Sequence, residues 1–375
     1  MNNAPHKLIP PPERMLIRGV NWLGDAVMTT PAIQRLREAY PEAHITLLTH
    51  QKLADIWRAH PHVDDVETFT ADEGAGSIAK RLKAGRFDLG IALPNSPRTA
   101  FELWRAGIPR RVGYRAAWRN WMLTHAVPRA TNVTHMRKRS EAEIRRLIEA
   151  PETGTRKFVA EGSHHIHHYL RLVEAVGASE EAAAPTMAIP EGDEAAFASA
   201  FLPHRERHPL WLGLNPGAEY GPAKRWPAGR FVETAVKLAA ETGCGWIVFG
   251  AKGDDDANNV AREIERQTGP ESAINLVGRT SLAQLCAGLK FCNAVLTNDS
   301  GPMHVAAALG TPVIVPFGST SLELTGPGLP GEDSHQLLNA KSPCAPCFLR
   351  ECPIDFRCMN DIPVEAAVNA VRAVL

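Results

Sequence analysis

Short apolar runs that do not alternate, each followed by a segment of helical periodicity, constrain this chain more than any single motif. "MLIRGV" from Met15 leads into a helical pattern ending near Tyr40, and "HITLLTH" (44–50), "DVETF" (65–69) and "DLGIAL" (88–93) follow in the same way. Strands apolar on both faces and joined by helices belong to a parallel sheet covered on both sides. Between 150 and 210 the pattern loosens into "APETGTR", "ASEEAAAPTMAIPEGDE" and "LPHRERHP", interrupted by a predicted helix at 163–176. It then resumes with "LWLGLNPG" (210–217), "GWIVFGA" (245–251), "AINLVG" (273–278), "AVLTNDS" (294–300) and "TPVIVPFG" (311–318), with helices predicted at 228–242 and 281–290. A chain of 375 residues exceeds what one core holds. The expectation is an α/β fold of two Rossmann-like, doubly wound domains facing a central cleft at the carboxyl ends of their strands. Their ranges are 15–190 and 205–361, after a disordered lead-in at 1–14 and before a terminal helix at 362–375.

Charge narrows the partners. The 41 basic residues cancel the 41 acidic ones, so no global field favours nucleic acid. The N-terminus has no apolar core of signal-peptide length, and the most apolar run, "VAAALGTPVIVPFG" (305–318), is broken by Gly310 and Pro312 and is too short to span a bilayer. A reducing cytoplasm is therefore expected, with no structural disulfides among the seven cysteines.

Two turns attract attention. In "LIRGVNWLGDAVMTTPAI" (16–33) a strand passes through a glycine turn into a helix, and Asp25 sits at the mouth of that turn, where a phosphate-binding loop would exclude negative charge. In "VLTNDSGPMHVAAALGTPVIVPFGST" a strand ends at Thr297 and a helix begins after Ser300-Gly301-Pro302. Free N–H groups and the helix dipole make such a terminus a diphosphate site. Plain helix capping by Asp25, Asp299 or Ser300 is the competing reading at each turn. "NPGAEYGPAKRWP" (215–227) places Lys224 beyond a strand's carboxyl end, where ligands of open sheets bind, although an isolated lysine is more often solvated. The acidic triplet Asp254 to Asp256 reads as the first turn of a helix.

Six arginines, Arg98, Arg105, Arg110, Arg111, Arg115 and Arg119, lie among tryptophans in 95–121, and "HMRKR" (135–139) adds three bases. Guanidinium forks suit carboxylate and phosphate; a solvated helix face is the alternative. Cys344, Cys347, Cys352 and Cys358 can close a tetrahedral zinc site or simply pack as reduced thiols. Cys244, Cys286 and Cys292 read as core residues. The histidines of "HHIHH" (164–168), on a helix beside an acidic linker, read as solvated.

"RGVNWLGDAVMTTPAIQRLREAYP", "AKRWP", "NLVGRTSL" and "TNDSGPMHVAAALGTPVIVPFG", in this order, closely resemble the ADP-heptose:lipopolysaccharide heptosyltransferases, glycosyltransferases of the two-Rossmann GT-B architecture, and most of all those that add the second inner-core heptose. The resemblance runs from about residue 15 to the C-terminus. It implies an inverting transfer of L-glycero-D-manno-heptose from ADP-heptose to heptosyl-Kdo-lipid A. Asp25 is then the general base and Lys224 contacts the donor phosphate. Asp299, Ser300, Gly301 and His304 hold diphosphate and heptose, Thr280 lies beside the adenine, and Arg98, Arg111 and Arg115 meet an anionic acceptor. Some relatives have an acid for the ribose where this chain has Lys252. No cofactor is required, a structural zinc at the four cysteines aside, and the enzyme acts in the cytoplasm at the inner face of the membrane. Another acceptor step and another GT-B enzyme, such as a nucleotide-sugar epimerase, are the nearest alternatives. A nucleotide-binding protein or oxidoreductase on the same sheet ranks last, because no G-x-G-x-x-G follows the first strand.

Overall fold

The computed structural model describes residues 8–150, 159–160 and 162–375. The chain divides into two compact units, Met1–Val133 with Glu161–Ala188, and Thr134–Ala160 with Ile189–Leu375. The described residues of Thr134–Ala160, inside the range predicted for the first domain, thus group with the second unit. Residues 1–7 of the lead-in predicted at 1–14, and most of the loose segment "APETGTR", lie outside the described residues.

In the first unit the strands are β1 (Arg14–Arg18), β2 (His44–His50), β3 (Asp65–Phe69), β4 (Leu89–Ala92), β5 (Arg110–Tyr114) and β6 (His125–Val127). All pair in parallel, in the order β3-β2-β1-β4-β5-β6. Leu16 of β1 stands between Thr46 and Gly90, and every residue of β1 after Arg14 is buried, which is why this strand reads as an unbroken apolar run. Its helices include α1 (Leu23–Met28), α2 (Thr30–Ala39), α3 (Ala75–Leu82) and α4 (Pro97–Arg105). α4 starts at Ser96, whose hydroxyl accepts from the Thr99 N–H, with Pro97 in the first turn.

After α5 (Glu141–Glu149), which belongs to the second unit, α6 (Ile166–Glu174) returns to the first and packs against α2 and β5. The second unit continues through α7 (Asp193–Phe201), β7 (Trp211–Asn215), α8 (Ala228–Thr242), β8 (Gly245–Val248), α9 (Asp255–Thr268), β9 (Ala273–Asn275), α10 (Leu282–Phe291), β10 (Ala294–Thr297), α11 (Gly301–Ala308), β11 (Val313–Phe317) and β12 (Gln336–Asn339). Its sheet is again fully parallel, ordered β12-β11-β10-β7-β8-β9. The terminal helix spans Val364–Arg372. Each unit is therefore Rossmann-like, as expected, with the strand order reversing between β1 and β4 in one sheet and between β7 and β10 in the other. Ligands of open parallel sheets bind beyond the carboxyl ends of the strands at such reversals. Asp25 follows β1 through its turn, and Lys224 and Asp299 follow β7 and β10. Among the described residues no helix is long and apolar enough to cross a membrane.

Candidate active site

The site in the second unit is built by two asparagines and a carboxylate at the ends of β7 and β10. Buried Asn215 turns its amide toward Thr297 Oγ1 (3.3 Å) and Ser300 Oγ (3.2 Å), tying the two strand ends together. Asn298 Oδ1 accepts the backbone N–H of Trp226 at 2.9 Å, and the Trp226 indole donates to the Ile362 carbonyl at 3.1 Å. This pins the loop that carries Lys224. Lys224 Nζ lies 2.6 Å from Asp299 Oδ2, with the side chains 14% and 4% exposed, and the Thr320 hydroxyl donates to the same oxygen. The ammonium also stands 5.0 Å from the centre of the Tyr220 ring. Gly221 permits the loop's path: at φ 150°, a Cβ there would meet the Arg350 carbonyl oxygen at 2.5 Å.

The capping alternative for the late turn fails. Ser300 occupies the N-cap of α11, yet no side chain caps this helix, because Ser300 is engaged by Asn215 and Asp299 by Lys224 and Thr320. Gly301 and Pro302 form its first turn, and His304 is buried within it. Thr280 is half-buried just ahead of Ser281, which forms a capping box with Gln284 at the start of α10. Lys252 is exposed, and its backbone lies so close to Gly278 that a Cβ there would sit 2.8 Å from the Lys252 Cα. Asp254 caps α9 by accepting from the Ala257 N–H, with Asp255 and Asp256 in the first turn, so the triplet is structural.

In the first unit, Gly19 leads β1 into its turn; a Cβ on it would press to 3.3 Å from the Leu48 carbonyl oxygen. Trp22 is the N-cap of α1 and Asp25 its third residue, so Asp25 is not an N-cap. Its charge is felt by His165 and Tyr169, which meet at 3.0 Å between Nε2 and the hydroxyl. Burial lowers the His165 pKa, against the pull of the Asp25 carboxylate, and burial followed by the Asp25 charge raises that of Tyr169 well above the ordinary tyrosine value. A neutral imidazole and an un-ionised phenol thus border the carboxylate. The expectation that "HHIHH" is solvated is overturned here: His164 is buried, and His165, His167 and His168 are half-buried, because the first turn of α6 packs under β5. His168 stacks on Tyr114 at 4.2 Å, and burial pushes its pKa down to about 3.

Comparison with known proteins decides the family. The profile of glycosyltransferase family 9 (heptosyltransferase) matches residues 75–356. Lipopolysaccharide heptosyltransferase 2 of Escherichia coli K12 is 30% identical over 324 residues, covering 84% of this chain and 85% of that protein. The chain belongs to glycosyltransferase family 9. Lipooligosaccharide heptosyltransferase 2 of Haemophilus ducreyi is likewise 30% identical, over 84% of this chain and 86% of its own. The solved structure of E. coli ADP-heptose lps heptosyltransferase II superposes with a TM-score of 0.75 at 24% identity, over 96% of this chain and 98% of that one.

The structure separates the arginines of this family 9 enzyme that the sequence could only group. Arg98 spends Nε on Glu102 (2.9 Å) and Nη2 on the Glu73 carbonyl. Arg111 is a strut, donating to the carbonyls of Met122, Ile108 and Pro109. Arg115 is exposed. Arg119 differs from all of these. It is fully buried, and Nη1 donates to the Pro94 carbonyl at 2.7 Å, while Nε and Nη2 find no partner among the described residues. Burial pushes its pKa down to about 10. The nearby loop after β4 also holds Asn95, whose buried Oδ1 has no partner among the described residues. A buried guanidinium without a counter-ion is costly to the fold.

None of the seven cysteines forms a disulfide, and Cys244, Cys286 and Cys292 lie in the core as expected. Cys344 and Cys347 pack with Ile144 of α5. Burial, then the charges of Cys344, Cys347 and Cys352, push Cys358 up to about 12. Among the described residues no group of three or more His, Cys, Asp or Glu is already arranged to hold a metal.

Proposed function

We propose that this enzyme moves heptose from ADP-heptose to the heptosylated inner core of lipopolysaccharide, inverting the anomeric centre, at the cytoplasmic face of the inner membrane. The acceptor step is supported by the similarity to heptosyltransferase 2 proteins. The chemistry rests chiefly on the pair of half-buried Lys224 and buried Asp299 beside the uncapped N-terminus of α11. Asp299 holds Lys224 in place, and the ammonium together with the helix terminus neutralises the departing ADP. Ser300, Gly301 and His304 surround the diphosphate and sugar, and Thr280 faces the adenine. Asp25 removes the proton of the acceptor hydroxyl as the anomeric carbon becomes cationic. Incubation with ADP-heptose and heptosyl-Kdo-lipid A should release ADP only when acceptor is present. No release with any heptose acceptor would overturn the assignment.

Lys224→Ala should weaken ADP binding by about 1.5–3 kcal/mol, roughly ten- to a hundredfold, since a charge-assisted phosphate contact is lost. Titration calorimetry measures it, and an unchanged affinity removes Lys224 from the donor site.

Arg119 extends the acceptor side from Arg98, Arg111 and Arg115 to a group that the anion of the substrate would complete. Arg119→Gln should raise the acceptor KM about tenfold or more, because a buried charge-assisted contact is lost. The ADP affinity should stay unchanged and the melting temperature should rise, because an unpaired buried cation destabilises the fold. An unchanged KM with a lowered melting temperature would make Arg119 purely structural.

A structural zinc at Cys344, Cys347, Cys352 and Cys358 requires these thiols to draw together and ionise. Elemental analysis of protein purified without chelator should then give about one zinc per chain. Four freely titrating thiols and no zinc would leave them as packing residues, and transfer should survive a chelator in either case.

A further inference from the structure

The first unit presents an aromatic surface that its own packing does not use. Trp104, Trp118 and Trp121 are 39%, 86% and 65% exposed. Trp104 and Trp121 meet edge to face with centroids 5.1 Å apart, and Phe101 lies tilted against Trp104 at 5.8 Å. Buried Ala100, Met122 and Leu123 pack with half-buried Phe101, so this ridge has a fixed base. Trp118 is held outward at φ 64°, a left-handed conformation unfavourable for a bulky residue, in a turn where Asn120 Oδ1 accepts the Ala116 N–H at 3.0 Å. α4 has already buried Ala100 and Leu103, so a merely solvated outer face has no use for Trp104.

The surrounding charge is one-sided, although the whole chain is neutral. From Pro97 to Trp121 the only acid is Glu102, which is buried and bound to Arg18 and Arg98, whereas Arg105 and Arg115 are exposed. Tryptophan favours the headgroup level of a bilayer, where its ring is half apolar and its N–H is hydrated. Arginine beside it meets lipid phosphate.

We propose that the surface formed by Trp104, Trp118, Trp121 and Arg105 docks on an anionic lipid bilayer. This rests on the reading above that the acceptor is lipid-anchored, and it assigns that reading a surface. Consecutive residues divide the labour: Trp118 faces outward to the bilayer, while Arg119 is turned inward to await the acceptor's anion. The enzyme therefore meets its acceptor without the lipid leaving the membrane.

Flotation of the full chain with vesicles tests this. The wild type should float with phosphatidylcholine vesicles containing phosphatidylglycerol, with a blue shift in tryptophan emission, and should do so less at high salt. Trp118→Ser with Trp121→Ser should reduce partitioning about tenfold or more, and Arg105→Gln should reduce it less. The double variant should act like wild type on a delipidated, water-soluble acceptor and more slowly on acceptor embedded in vesicles. A wild type that stays unbound, binds phosphatidylcholine alone equally well, or floats no better than the double variant would overturn the proposal. So would a wild-type dimer in sedimentation that the double variant lacks, since the surface would then join two copies of this chain. Absence of transfer even to soluble acceptor would strike the functional reading instead, leaving flotation to decide the surface.

Discussion

Asp25→Asn should turn over about 10²–10⁴-fold more slowly than the wild type, the usual worth of a positioned general base. The substitution keeps the side chain's shape and removes its charge. Because Trp22, not Asp25, is the N-cap of α1, no cap is lost, and the first-turn charge itself contributes only about 0.3–1 kcal/mol. The melting temperature should therefore barely move. ADP affinity should also hold, since the donor phosphates are assigned to Lys224 and α11. In the wild type the rate should fall toward low pH as the carboxylate takes up a proton, and that limb should vanish in the variant. Near-normal turnover would move the base elsewhere. Early melting with normal turnover would leave Asp25 a structural role.

Glu102→Ala should cost about 3–5 kcal/mol of folding stability, a large part of the ~5–15 kcal/mol that a typical domain has. Arg18 Nε and Glu102 Oε2 lie 2.8 Å apart, both fully buried, at the end of β1. Burial lowers the Arg18 pKa even though Glu102 opposes it. Nη1 donates to the Gly19 carbonyl at 2.7 Å, and the guanidinium stands 4.2 Å from the centre of the Phe69 ring. Removing the carboxylate strands this cation in the core just before the turn that carries Asp25. Arg18→Met combined with Glu102→Leu should recover most of the loss, because two apolar side chains leave no charge to strand. Urea denaturation of the wild type and the two variants measures both effects. A single-variant loss below about 1 kcal/mol would mean that water reaches the pair.

Most strands that could be read from sequence have residues buried on both faces, such as β2, predicted and found at His44–His50, although β3 was read too and is buried only at Phe69. β5, β6 and β12 gave no such run. β5 opens with Arg110 and Arg111, β6 has only three residues, and β12 is half-buried throughout. The turns bearing Asp25, Lys224 and Asp299 were legible because glycine and proline after an apolar run mark a strand's carboxyl end. The ion pair between Lys224 and Asp299 was not, since β8, β9 and their helices separate the two in sequence. The burial of the histidines had a signal that composition masked. Ile166, Tyr169, Leu170 and Val173 recur with helical spacing, and that stripe carries His165 inward with Tyr169. Nothing local distinguishes Arg119 from its five neighbours. Its place depends on Gly113 of β5, where a Cβ would lie 2.5 Å from Nη2.

That α5 belongs to the second unit bears on any attempt to exchange the first unit between related enzymes. A chimera joined at a single point near residue 200 would import a foreign α5 and set it against the native cysteine segment. Ile144 is buried with Cys344 and Cys347, and the Arg139 N–H donates to the Cys347 carbonyl at 3.0 Å. The functional module for grafting is discontinuous: 8–133 together with 162–188 must be transplanted as a pair, with 134–160 left to its host. Recombination that respects three junctions should yield folded hybrids, while single-crossover libraries over the same parents should be depleted of them. Inheritance in this chain follows the packing, not the order of the residues.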